Sequence, residues 1–282
     1  MLKKVLIIIG SILIIVCTSL INAKVINTKQ ITADEKVIVT NKLLNTDELL
    51  VTYFSDLHYG TYIDDAFLDN VINKINDFDS DIIIFGGDLI DHYSSRGISE
   101  IQKEHLVDSL KSLTVNYGKY AVFGEDDIGN DGTLNNIKNI LEEADFKIID
   151  GKNILLNVGK NDYINIIGIN SLAYSNETLS KNFENVNTNY YTFVVSHYPD
   201  MFKMINNYSF DYMLAGHSHG GQIYFPLISF FNREEGCQEY YRGSTTETNK
   251  TLDISNGVGR TGINARFNAD AQINVYRLEK QN

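Results

Sequence analysis

Cysteine, proline and positive charge are all scarce in this chain of 282 residues, and each scarcity removes a class of protein. Two cysteines, Cys17 and Cys237, allow neither a disulfide framework nor a thiolate zinc site. Cys17 lies in an apolar N-terminal run, and Cys237 stands alone and reads as an inert small hydrophobe. Two prolines leave no proline-rich linker, and there is no internal repeat. Lys and Arg number 24 against 36 Asp and Glu, a net charge of −12, so no nucleic-acid partner is expected. On so acidic a chain, affinity for phosphate groups has to come from bound cations.

The N-terminus has its own signal. Lys3 and Lys4 precede Val5–Ile21, a run of 17 residues without charge. That length lies at the lower limit for a membrane span and just above a signal-peptide core. Ala23 follows Asn22 and Ile21, a poor cleavage site. Residues 1–23 are therefore expected to be an uncleaved anchor in the cell membrane, with the lysines inside and the bulk of the chain extracytoplasmic. The alternative is a cleaved signal and a secreted protein. Residues 24–48 read as a stalk and entry strand, and residues 49–282 as the main domain.

After residue 48 strand and helix patterns alternate. Leu49–Phe54, Ile82–Phe85 and Tyr120–Phe123 have strand character. Between and after them lie helical spacings at Phe67, Val71, Ile72, Ile75 and Phe78, at Ile101, Leu106, Leu110 and Leu113, and at Leu134, Ile137, Ile140 and Leu141. This alternation predicts a largely parallel sheet at the front. The second half is richer in strands: Tyr163–Ile169, Tyr191–Val195, Tyr212–Ala215, Leu252–Ser255 and Ile273–Leu278. Helical periodicity is weak there except around Met201–Ile205. Two packed sheets with helices outside suit the whole pattern.

Five clusters carry the chemistry: Asp56-Leu57-His58, Gly87-Asp88, Gly124-Glu125-Asp126-Asp127, Ser196-His197 and Gly216-His217-Ser218-His219. Asp56 and His58 stand two apart, and in an extended strand such residues share a side. As a pair alone they read equally well as a helix cap and a loop histidine. Two glycines before Asp88 permit a tight turn and close approach to a ligand. Asp91 reads as a cap or a support, His92 as a solvated loop residue and His105 as surface. His217 and His219 among glycines are poor candidates for core packing. Together Asp56, His58, Asp88, His197, His217 and His219 supply oxygen and nitrogen ligands for two ions, with manganese, iron and zinc all compatible. Such a pair can hold a hydroxide and polarise a phosphoryl group.

In order and spacing these clusters resemble the blocks of the calcineurin-like metallophosphoesterase superfamily: Asp-x-His, Gly-Asp, Gly-Asn-His-Asp/Glu, a lone His, and Gly-His-x-His. Ala215-Gly216-His217-Ser218-His219-Gly220-Gly221-Gln222-Ile223, Ser255-Asn256-Gly257-Val258-Gly259 and Ala265-Arg266-Phe267 resemble a membrane-associated branch of it. That branch includes enzymes that cleave the pyrophosphate of UDP-diacylglucosamine. The resemblance implies a four-layer αββα sandwich, two mixed β-sheets flanked by helices. It implies Asp56, His58 and His219 on one metal, His197 and His217 on the other, and Asp88 as the bridge. The implied activity is hydrolysis of a phosphodiester or pyrophosphate bond in a phosphorylated small-molecule or lipid-linked substrate.

This chain departs from the family in the third block. Glu125 stands where the family has a metal-ligating Asn, and is a longer, charged candidate ligand. Asp126 stands where the family has the His that can protonate the leaving oxygen. A carboxylate beside two dications stays ionised and is a poor acid. Three readings remain: an enzyme for substrates whose leaving group needs no proton, a weakened relative acting as a ligand-binding module, or replacement of the acid by a residue such as His92. Tyr224–Phe231 reads either as an apolar lip beside the site or as ordinary core.

Overall fold

Short strands buried on both faces read as continuous apolar runs, and β3 (Ile82–Phe85) is an example: Ile82 and Ile84 face one layer while Ile83 and Phe85 face another. The computed structural model describes residues 27–91, 97–129, 131–169, 175–225 and 233–281, with isolated positions before residue 27. The first sheet has the order β1 (Ile31–Thr40), β12 (Ala271–Lys280), β2 (Glu48–Phe54), β3, β4 (Gly118–Ala121), β5 (Phe146–Ile148). Its strands are parallel except at β12–β2. The second has the order β10 (Gly243–Glu247), β11 (Lys250–Ile254), β9 (Tyr212–Ala215), β8 (Tyr191–Ser196), β7 (Tyr163–Ile169), β6 (Asn153–Asn157). Here only the outer pairs, β10–β11 and β6–β7, are antiparallel.

Helices cover the outer faces. α1 (Asp65–Asn76), α2 (Glu100–Lys111) and α4 (Asp131–Glu143) press Val71, Ile75, Leu106, Leu110 and Leu141 onto the first sheet. α5 (Asn176–Asn182) and α6 (Met201–Ile205) cover the second with Leu179, Phe202 and Ile205. Val51, Tyr53, Tyr120, Phe193, Val195 and Tyr276 fill the space between the sheets. The layers are therefore helix, sheet, sheet, helix, with two mixed sheets face to face. α3 (Glu125–Ile128) is a single turn at the carboxyl end of the first sheet.

The strands expected after residue 48 are present, with β4 starting two residues earlier than its apolar pattern. The segment expected to be a stalk and entry strand contains one strand of ten residues. Ile31–Thr40 pairs with β12 over all ten residues and is the edge strand of the first sheet. Its outward Val37 and Val39 are exposed, so its inner face carries only part of an apolar alternation. α5 had no clear helical period because its seven residues offer Leu179 as their buried apolar anchor. Asp64, not Asp56, caps α1 by accepting from the Phe67 amide at 2.9 Å. Among the described residues no helix is long and apolar enough to cross a membrane, and the expected span falls almost wholly outside them. His92 and most of Tyr224–Phe231 also lie outside the described residues.

Because Phe193 is fully buried between the sheets, Phe193→Ala is expected to cost about 3–5 kcal/mol. Val39→Ala on the exposed edge should stay within about 0.5 kcal/mol. Urea unfolding midpoints at unchanged slope would check both.

Candidate metal centre

Each of the five clusters leaves the carboxyl end of a strand: β2 leads to Asp56, β3 to Asp88, β4 to α3, β8 to His197 and β9 to His217. In open α/β sheets this is the end where ligands bind. Asp56, His58, Asp88, His217 and His219 all have positive φ, between 45° and 68°. Asp and His are among the few non-glycine residues enriched in this left-handed region, which costs about 1 kcal/mol or more per residue. The extended spacing expected for Asp56 and His58 is thus incorrect. Both sit on a left-handed turn beyond β2, and the turn brings them to the same side.

The turns are tied by hydrogen bonds between loops. Asp56 N–H donates to Gly87 C=O at 2.8 Å and His58 N–H to Asp88 C=O at 3.1 Å. Asp127, entirely buried, accepts from the amides of Asp88 (2.7 Å), Leu89 (2.9 Å) and Gly124 (2.9 Å). The Asp126 amide donates to Asp88 Oδ1 at 2.9 Å. A Cβ on Gly124 would fall 2.1 Å from that oxygen, so glycine is required there. On the other side Arg266, fully buried, donates to the carbonyls of Asn256, Gly257, Gly259 and Ala269. It thereby holds the loop after β11 against Asp56, whose carbonyl accepts from Gly259 N–H at 2.7 Å. Asp127 and Arg266 had no role in the sequence reading. Asp127 ends the third block, and Arg266 lies in the quoted C-terminal motif.

The side chains converge in two groups, Asp56 with His58 and His219, and Asp88 with His197 and His217. All six are between 0 and 6% exposed. His58 Nε2 and His219 Nε2 stand 3.1 Å apart, and His219 Nε2 is 3.7 Å from Asp56 Oδ1. Asp88 Oδ2 lies 3.1 Å from His197 Nε2 and 3.6 Å from His58 Nε2, so it sits between the groups. His197 Nδ1–H donates to Gly86 C=O and His217 Nε2–H to Glu235 C=O, both at 2.8 Å. Each ring therefore turns its other nitrogen toward the site, as metal-ligating imidazoles do. In each group the imidazole and carboxylate atoms lie within 4.8 Å of one another, which fits divalent cations bound by mixed nitrogen and oxygen donors.

The departing residues fall differently from one another. Asp126 Oδ2 lies 3.2 Å from His58 Nδ1, the nitrogen facing away from His219, and His58, Asp88 and Asp126 form a third close group. The Glu125 side chain is 66% exposed, with its carboxylate 4.0 Å from His217 Nδ1. It stands at the rim and is not drawn into either ligand group. Asp91 is buried and accepts from Thr261 Oγ1 at 3.4 Å. Cys237 is buried, and burial pushes its thiol up to about 12, leaving it inert.

Charge balance explains the titration pattern. Burial disfavours a charged Asp88, but His197, His58 and His217 outweigh it and hold the carboxyl well below the usual carboxylate range. Burial opposes a proton on His197, yet Asp88 and Asp56 push that imidazole up to about 10. His219 moves the other way, lowered by burial and by His58 and Arg266. Burial and Asp88 raise Asp127 to about 6 against its three amide donors.

The chain belongs to the calcineurin-like phosphoesterases, whose family model matches residues 49–221, more than half of its length. Members of this family use divalent metals. It is 25% identical to the uncharacterized metallophosphoesterase YkuE of Bacillus subtilis, over 84% of this chain and 81% of that protein. It is also 25% identical to YkoQ of the same organism, over 91% and 92%. It is 26% identical to the UDP-2,3-diacylglucosamine pyrophosphatase LpxG of Chlamydia trachomatis, over 77% and 80%.

Two measurements follow from the site. Asp127→Asn turns an amide against three N–H donors, and should cost about 2 kcal/mol or more in urea and weaken manganese uptake at least tenfold. The proton held by His197 must leave before its nitrogen accepts a cation. Manganese affinity should therefore rise with pH up to about 10, with proton release visible by calorimetry near pH 7. Affinity unchanged between pH 6 and 8 would contradict this.

Proposed function

We propose that the chain is a membrane-tethered hydrolase of phosphoanhydride or similarly activated phosphodiester bonds, working through a pair of divalent cations. The observation that carries the reading is the pair of adjacent ligand groups with Asp88 between them. Asp56, His58 and His219 would hold one ion, His197 and His217 the other, and Asp88 both. Such ions supply Lewis-acid charge opposite the phosphoryl oxygens. The protein's own part is orientation: Gly86 and Glu235 carbonyls aim His197 and His217, and Asp127 fixes the turn that presents Asp88.

The leaving group is constrained by Asp126. Asp126 lies against His58 where the family has the histidine that can protonate a departing alkoxide, and losing general acid catalysis costs about 10²–10⁴ in rate. Substrates whose leaving group departs unprotonated, such as pyrophosphates and aryl esters, escape this penalty. The Chlamydia relative cleaves such an anhydride by its printed name, which supports a nucleotide-sugar or lipid-linked substrate here. Beside His219 lies a cavity of about 270 Å³, lined by Ser218, Gln222, Ile223, Glu234, Tyr241 and Ile263, the size for one part of such a substrate. The uncharged run Val5–Ile21 supports attachment to the membrane.

The full chain with manganese should turn over an aryl phosphodiester or a nucleoside-diphosphate sugar at least a hundredfold faster than an alkyl phosphodiester. Asp88→Asn should remove that turnover. Near-absent activity that Asp126→His raises by orders of magnitude would instead make the native chain a ligand-binding relative.

A further inference from the structure

The position of the N-terminal strand says which way the site faces. β2 runs toward the metal centre and ends at Phe54, and β12 runs antiparallel to it, with Asn274 opposite Tyr53. β1 is parallel to β12, with Ile31 opposite Ala271. The chain therefore enters the domain at the end of the sheet that bears the candidate metal ligands. The entry is pinned there. Arg260 is buried, follows the Gly259 that bonds Asp56, and donates to the carbonyls of Thr28 and Tyr62 (2.7 Å for the latter). Thr28 Oγ1 in turn donates to the Lys24 carbonyl at 2.9 Å. The uncharged run ends at Ile21, three residues before Lys24. Three residues reach at most about 11 Å.

The rim near this entry exposes apolar side chains among charges of both signs, Glu125 and Glu234 as well as Arg242. Ile263 is 53% exposed and lines the cavity beside His219. Phe225 is 45% exposed and packs on Phe267 at 4.9 Å between centroids. The Arg242 guanidinium lies over the Tyr224 ring at 3.9 Å. Exposed aliphatic and aromatic side chains are what a lipid–water interface accepts.

We infer that the face carrying the mouth of the metal centre lies against the lipid bilayer, with Ile263 and Phe225 seated in the interface, so that substrate is drawn from the membrane surface rather than from bulk water. This rests on the tether proposed above. A domain hung by the opposite end of β1 would turn its site away from the lipid; this one is hung by the end beside the site.

The test uses the full chain reconstituted in vesicles of zwitterionic and anionic phospholipid, in a Cys17→Ser background with the buried Cys237 retained. A fluorophore is placed at Ile263→Cys, at Phe225→Cys or, as a distal control, at Leu44→Cys. Leu44 is 62% exposed and follows the far end of β1. Lipids brominated on their acyl chains should quench the Ile263 and Phe225 probes at least threefold and leave the Leu44 probe unchanged. Equal quenching at all three, quenching at Leu44 alone, or none at any site in vesicle-bound protein overturns the orientation, including the case where a second copy of the chain covers the rim. Failure of the chain to float with vesicles overturns the tether and the orientation together. Turnover of a soluble pyrophosphate, measured on the same samples, reports separately on the hydrolase reading.

Discussion

Two buried carboxylates, Asp56 and Asp88, share a few ångströms with four buried imidazoles, and this charge needs cations to balance it. Uncompensated, a buried carboxylate is among the most costly groups a fold can carry. Part of that balance comes from His197, whose imidazole Asp88 pushes up to about 10 against the effect of burial. Divalent ions do the same work with more charge. The rest of the architecture presents these side chains to each other and keeps water and strain from separating them.

The cost of that presentation lies in the backbone. Five of the six candidate ligands adopt left-handed turns, and such strain persists only where surrounding contacts over-determine it. Asp127 provides this on one sheet by gathering three amides from the loops after β3 and β4. Arg266 provides it on the other side by gathering four carbonyls around the loop that covers Asp56. One buried anion collects donors and one buried cation collects acceptors, so the two sheets lock the site from opposite sides.

The third block shows how one position can change its work without leaving the site. Asp126 has moved its contact to the outer nitrogen of His58, where a carboxylate can orient a ligand histidine. Glu125 faces solvent and alters the charge of the rim more than the inner coordination sphere. The first residue serves the metal end of the site and the second what approaches it. Neither residue disturbs the six buried candidate ligands.

Much of this was legible from sequence because it is local. A run such as Ile82–Phe85 can only be a buried strand, and Asp or His beside glycine after such a run marks a loop at a sheet end. The order of the clusters identified the family, and the family implied the grouping of the ligands. What sequence could not supply depends on pairings between distant residues. His58 meets His219 across 161 positions. Ile31 finds Ala271 across the whole domain, which sets the strand within residues 24–48 at the edge of the first sheet. The period-two rule failed at Asp56 and His58 because left-handed turns depend on hydrogen bonds from other loops, not on the neighbours in the chain. Sequence by itself determined the donor atoms and the strands that carry them. Only the tertiary structure decided which atoms face one another and that Asp126 sits on His58, because those choices depend on how two sheets and their loops pack.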